Sequence, residues 1–96
     1  MAILVTVTAK AKSDSVGTFR DIMAEILPET RKFDGNHGIT AYVNEDGQSV
    51  LLVENWESKA HYEKYLGWRQ ENGSLDRIVA TLDGPPDIRY FEAVDA

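Results

Sequence analysis

The chain opens on a two-residue alternation of apolar and polar positions. Over Ala2 to Lys10, Ile3, Val5, Val7 and Ala9 fall on one side of an extended backbone, and Leu4, Thr6, Thr8 and Lys10 on the other. Alternation in a run rich in β-branched residues predicts a strand. The period then changes: Val16, Phe19, Ile22, Met23, Ile26, Leu27, Thr30 and Phe33 recur at steps of three and four. That spacing predicts a long amphipathic helix. Ser13-Asp14-Ser15 offers capping side chains at its start, and Asp34-Gly35 ends it. Pro28 removes one backbone donor, so a kink or break is expected between Ala24 and Pro28.

Alternation returns over Gly38 to Asn44, with Ile39, Ala41 and Val43 opposed to Thr40, Tyr42 and Asn44. Glu45-Asp46-Gly47-Gln48 reads as a hairpin turn, because Gly47 can take the positive φ a tight turn needs. Ser49 to Trp56 is the returning strand. Its Val50-Leu51-Leu52-Val53 run is apolar on both faces, which marks a central strand covered on both sides. Ser58 caps a second helix that runs to about Asn72, with Gly73 ending it. Ser74 to Leu82 reads as a short third helix, broken by Asp83-Gly84-Pro85-Pro86, and Ile88 to Val94 as the last strand. The order is an α+β, ferredoxin-like βαββαβ pattern with an extra helical turn, built on a four-stranded antiparallel sheet. Both helices of such a pattern cover one sheet face, so a two-sided apolar strand calls for a second cover.

The length of 96 residues fits one domain over residues 1–96. Ten Lys and Arg against sixteen Asp and Glu give a net charge of −6. A domain of that charge repels the phosphate backbone, so no nucleic-acid partner is expected. The absence of cysteine excludes disulfides, thiolate nucleophiles and iron–sulfur clusters. No apolar stretch reaches the ~20 residues that span a bilayer, and the apolar start has no basic lead-in, so no membrane partner and a cytoplasmic location are expected. The two histidines, His37 and His61, lie on different elements and form no His-x-x-x-His pair, so no metal site is predicted. No Gly-rich phosphate loop is present, so no nucleotide cofactor is expected.

Three segments carry a resemblance: Glu29-Thr30-Arg31-Lys32-Phe33-Asp34-Gly35, Val53-Glu54-Asn55-Trp56-Glu57-Ser58-Lys59-Ala60, and Gly84-Pro85-Pro86-Asp87-Ile88-Arg89-Tyr90-Phe91-Glu92. In this order and spacing the chain resembles the antibiotic biosynthesis monooxygenase (ABM) domain family of the dimeric α+β barrel superfamily. The resemblance covers nearly the whole chain. It implies a homodimer whose two sheets pack face to face, with a small-molecule cavity between sheet and helices in each subunit. Similar proteins include cofactor-independent oxygenases of polycyclic phenols, quinol oxygenases, haem-degrading enzymes and a signal-processing enzyme group. The implied function is a cofactor-independent monooxygenase acting on a small aromatic phenol or quinol. The alternatives are a non-catalytic small-molecule-binding or stress-response module and, third, a haem-handling protein.

Candidate catalytic residues are Trp56, Glu54, Tyr65 and His61. Trp56 and Glu54 share a strand face with Leu52. The resemblance implies that the Trp lines the cavity; the bland reading is a core residue at the sheet end. Glu54 on a covered strand needs a partner, either a salt bridge, for which Arg89 is a candidate, or a phenolic hydroxyl that it accepts or deprotonates. His61 and Tyr65 sit on one helical face, as a proton-transfer pair or as packing. Candidate substrate-binding residues are Tyr42, Thr6, Thr8, Leu52 and His37. Thr6, Thr8 and Tyr42 would form a polar strip that lines a cavity or meets a subunit interface. Leu52 stands where some ABM oxygenases have an Asn, and Tyr65 where many members have a His. Tyr62, Tyr65 and Trp68 make the second helix unusually aromatic, which suits a flat ligand or an interface.

Overall fold

A computed structural model describes residues 2–95. The chain runs through β1 (Ile3–Lys10), α1 (Val16–Arg31), β2 (Asn36–Val43), β3 (Ser49–Trp56), α2 (Lys59–Glu71), α3 (Ser74–Val79) and β4 (Asp87–Phe91). The four strands form one antiparallel sheet in the order β2-β3-β1-β4, the ferredoxin-like α+β arrangement. The two strands with the strongest alternating or two-sided apolar pattern, β1 and β3, are the central pair.

Register divides the sheet into two unlike faces. Ile3, Val5, Val7 and Ala9 of β1 lie opposite Trp56, Glu54, Leu52 and Val50 of β3. Ile39, Ala41 and Val43 continue that face on β2, and Ile88 and Tyr90 on β4. The helices pack here. Phe19, Ile22, Met23 and Ile26 of α1 form one core cluster with Val50 and Leu82, while Tyr62 and Tyr65 of α2 form a second with Val5 and Trp56. The opposite face carries Leu4, Thr6, Thr8, Tyr42, Leu51 and Val53, and among the described residues no helix covers it. The two-sided strand Val50 to Val53 therefore has one side in the core and the other on this open face.

Several local expectations are corrected. Helix α1 passes unbroken through Pro28. The carbonyl that Pro28 leaves without a helical donor belongs to Ala24, an exposed residue that water can serve. Ser15 stands at the N-cap without a side-chain capping bond; its hydroxyl donates to Asp14 Oδ1 at 3.1 Å. Strand β2 begins earlier than the alternation suggests, at Asn36, through a bulge between Asn36 and Gly38. Helix α3 ends at Val79, and the last strand is Asp87–Phe91 rather than Ile88 to Val94. Two expectations hold in detail. The Ser58 hydroxyl caps α2 by accepting from the His61 amide at 3.2 Å. In the hairpin, Gly47 has φ +77° and the Asp46 carboxylate accepts from the Gln48 and Ser49 amides, each at 2.8 Å, and from the Ser49 hydroxyl at 2.6 Å. Those three bonds, the Ser49 hydroxyl foremost, lower the Asp46 pKa to about 2.

Candidate functional site

A cavity of about 70 Å³ lies between the inner sheet face and the helices. Its walls are mainly aliphatic, from all four strands and the three helices. Four residues with polar atoms reach it: Glu54, Tyr62, Tyr65 and Arg69. The chemistry of the cavity depends on which of those atoms are already engaged.

Arg69 is 2% exposed and fully engaged. Its Nε donates to the Tyr65 hydroxyl at 2.9 Å, one terminal nitrogen to Glu29 Oε1 at 3.0 Å and Ser74 Oγ at 3.3 Å, and the other to the Ile26 carbonyl and Thr30 Oγ1, each at 3.1 Å. A guanidinium has five N–H donors, and here all five are used. The same network decides the Tyr65 proton. Thr30 Oγ1 donates to the Ile26 carbonyl at 3.1 Å and accepts from Arg69, so in its 2.7 Å contact with Tyr65 the tyrosine is the donor. Tyr65 thus presents a ring to the cavity, while its hydroxyl joins α1 to α2. Burial raises its pKa, against the lowering effect of the Thr30 and Arg69 hydrogen bonds.

Glu54 is as deeply buried as Arg69, at 2% exposed, and is not paired with any cation among the described residues. Its Oε1 accepts one hydrogen bond, from Trp56 Nε1 at 3.0 Å. The expected partner Arg89 lies on the opposite sheet face, where its Nε donates to Asp87 at 2.8 Å. An ionised carboxylate is poorly solvated in such surroundings, and burial raises the Glu54 pKa to about 7 against the lowering effect of the indole bond. Tyr62 is 1% exposed, and among the described residues nothing hydrogen-bonds its hydroxyl. Burial first, and the neighbouring Glu54 second, push its pKa above the ordinary tyrosine value.

Trp56 is wholly enclosed, at 0% exposed, by Phe33, Tyr62 and Tyr65, with ring centroids at 6.2, 5.6 and 5.1 Å. It does not line the cavity itself; it holds Glu54, which does. Leu52 lines the cavity as an apolar wall. His61 is not among the lining residues. Its Nδ1 is 2.7 Å from Ser58 Oγ and its Nε2 is 3.8 Å from Asp34 Oδ2, at the end of the helix layer. Its ring lies on Gly35, where φ is +89° and a Cβ would come within 2.5 Å of the imidazole, so this contact needs glycine on both counts. His37 forms an exposed pair with Glu57 at 2.6 Å, away from the cavity. Thr6, Thr8 and Tyr42 lie on the open sheet face, so the structure does not bring them to the cavity. Of the candidates, Glu54, Tyr65 and Leu52 meet at the cavity, with Trp56 directly behind Glu54.

The sequence pairs Arg69 with its neighbour Trp68, over whose ring the guanidinium does lie, 4.5 Å from the centroid; its hydrogen-bond network and the Tyr62 hydroxyl are the features that pattern reading left out. Tyr62, Tyr65 and Arg69 follow one another at three- and four-residue steps, which puts a charge on the aromatic stripe of α2. That placement is a sequence signal for a buried, partnered arginine.

The comparisons with known proteins agree with this architecture. Among curated proteins none matches the sequence of this chain. Rv0793 from Mycobacterium tuberculosis is 18% identical, with a TM-score of 0.86 over 100% of this chain and 98% of that one. A structure described as an antibiotic biosynthesis monooxygenase is 14% identical, with a TM-score of 0.87 over 97% of this chain and 99% of that one. A mutant of SnoaB, a cofactor-independent oxygenase from Streptomyces nogalater, is 11% identical, with a TM-score of 0.82 over 99% of this chain and 95% of that one. At these identities the likenesses show the fold. The sequence profile "Antibiotic biosynthesis monooxygenase" matches residues 2–70, most of the chain, and so the chain belongs to the antibiotic biosynthesis monooxygenase family.

Proposed function

We propose that the chain is a cofactor-independent monooxygenase that acts on a small aromatic phenol or quinol in the cavity between sheet and helices. The observation that carries this reading is Glu54, a buried carboxyl without a counter-ion in a mainly aliphatic cavity, with a pKa of about 7. A group titrating there is half ionised near neutral pH, which suits a general base. Ionised Glu54 takes the phenolic proton. The phenolate passes one electron to O2, the two radicals combine at a ring carbon, and the hydroperoxide loses water to leave a quinone. For a simple phenol with a free para position, phenol plus O2 balances as quinone plus water. The chain's part is to orient the ring against Tyr65, keep water out and hold the proton on Glu54. Trp56 fixes the Glu54 carboxyl through its indole N–H.

The open sheet face, with Leu4, Leu51 and Val53 among its residues, is the surface this reading gives to a second copy of the chain. Oxygen uptake under air with phenols and hydroquinones tests the chemistry. Glu54→Gln should lower kcat/KM by about 100-fold or more, the lower end of a general-base contribution. Uptake no faster than in buffer for every phenol would replace the oxygenase reading with that of a ligand-binding module.

A further inference from the structure

Two properties of the cavity, its size and the state of its polar groups, narrow the ligand beyond the family's chemistry. Its volume is about 70 Å³, roughly half that of the apolar cavity of about 150 Å³ that admits benzene. Small movements of flexible lining residues such as Met23 and Leu66 can make room for one ring. Fused rings would need the core cluster of Phe19, Ile22, Met23 and Ile26 to come apart, which close packing resists.

The charges lead to a second restriction. Arg69 lines the cavity, but its five N–H groups are all engaged and its charge is met by Glu29, so it has no donor left for a ligand anion. Tyr62 is neutral. Glu54 is the one lining group free to carry an uncompensated charge, and that charge is negative. An anionic ligand would meet repulsion and no counter-charge in low-dielectric surroundings. A hydroxyl donor, in contrast, has an acceptor waiting in the Glu54 carboxyl.

We propose that the cavity takes an uncharged compound of at most one ring with a hydroxyl donor directed at Glu54, and that it rejects fused-ring phenols and ligands carrying a carboxylate or phosphate. This rests on the oxygenase reading only for its location. Its test is binding and not turnover, so the two can fail separately.

Calorimetric titration of the full chain at pH 7.5 with phenol, hydroquinone, benzoate, 1-naphthol and 2-anthracenol reads it directly. Phenol and hydroquinone should bind saturably with one site per chain, and benzoate and both fused-ring compounds at least tenfold more weakly. Two variants locate the site. Val79, half exposed and part of the cavity lining, can be enlarged without disturbing the core, so Val79→Trp should abolish phenol binding. Leu66→Ala enlarges the cavity and should bring 1-naphthol to within about threefold of phenol. The proposal is overturned if benzoate or 2-anthracenol binds as tightly as phenol, if phenol does not bind, or if Val79→Trp leaves phenol binding intact. Oxygen uptake on a fused-ring phenol without phenol binding would overturn it and leave the oxygenase reading standing. Phenol binding without oxygen uptake would support it and remove that reading.

Discussion

Arg69 and Glu54 are equally buried, at 2% exposed, and opposite in every other respect. The arginine has a partner for each of its five N–H groups, one of them an ion pair, and draws α1, α2 and α3 together. The glutamate has one hydrogen bond, from an indole on its own strand, and no cation. A buried charge with all its partners is part of the framework. A buried carboxyl short of partners and facing a cavity weakens the fold wherever it ionises, and an acid kept at that cost is a candidate for chemistry. The two residues separate the parts of the α2 side of the molecule that hold shape from the part that is free to react.

The contrast can be broken in three ways. The largest effect is expected at Arg69. Arg69→Met takes one donor from each of the Tyr65, Thr30 and Ser74 hydroxyls and the Ile26 carbonyl and leaves the half-exposed Glu29 carboxylate to water; at about 1 kcal/mol for each lost bond it should cost about 3–5 kcal/mol in urea denaturation. A loss below 1 kcal/mol would show that the network is not a framework.

The second is Glu54→Gln, which keeps an acceptor for Trp56. The folded-state pKa of about 7 lies above the ordinary 4.5, so folding favours the protonated acid. The protonated acid's stability is complete below about pH 4.5 and is lost as pH rises through 7. At about 1.4 kcal/mol per pH unit, the shift from 4.5 to about 7 corresponds to a loss on the order of 3 kcal/mol. The Gln variant should therefore match the parent at pH 4, exceed its stability at pH 8 and lack the slope between. Thermal or urea unfolding at several pH values checks this, and a Gln variant less stable at pH 8 would remove the distinction.

The smallest effect is expected for Tyr65→Phe. It removes the hydroxyl that accepts from Arg69 Nε and donates to Thr30 Oγ1, leaving the direct Arg69–Thr30 bond in place, and should cost about 1–2 kcal/mol, with phenol affinity in the cavity changed less than threefold. A large loss of affinity with little loss of stability would move the Tyr65 hydroxyl from framework to site.

Much of the fold follows from periodicity. Ile39, Ala41 and Val43 alternate inward as expected, and the doubled pattern of Val50 to Val53 foretells a sheet with two different faces. The same alternation already separates Thr6, Thr8 and Tyr42 from the Val5, Leu52 and Glu54 face; what it does not say is which face the helices cover. Trp56 and Glu54 are adjacent on one face by their two-residue spacing, but that the indole serves the carboxyl is a matter of rotamers. The role of Arg69 depends on the end of α1, which lies about 40 residues away in sequence, and no local pattern reports such a contact. Tyr65 looks like a proton donor beside His61 until the positions of Thr30 and Arg69 show where its hydroxyl is spent.

The Glu54 carboxyl is the group in which base and framework part, and its titration can be followed directly. Side-chain 13C NMR of glutamate-labelled protein, with Glu54→Gln assigning the resonance, measures its midpoint. A midpoint of about 7 is predicted, with burial as its cause. A midpoint near 4.5 would show a solvated or cation-paired carboxylate and would contradict both the base assigned to the cavity and the contrast with Arg69.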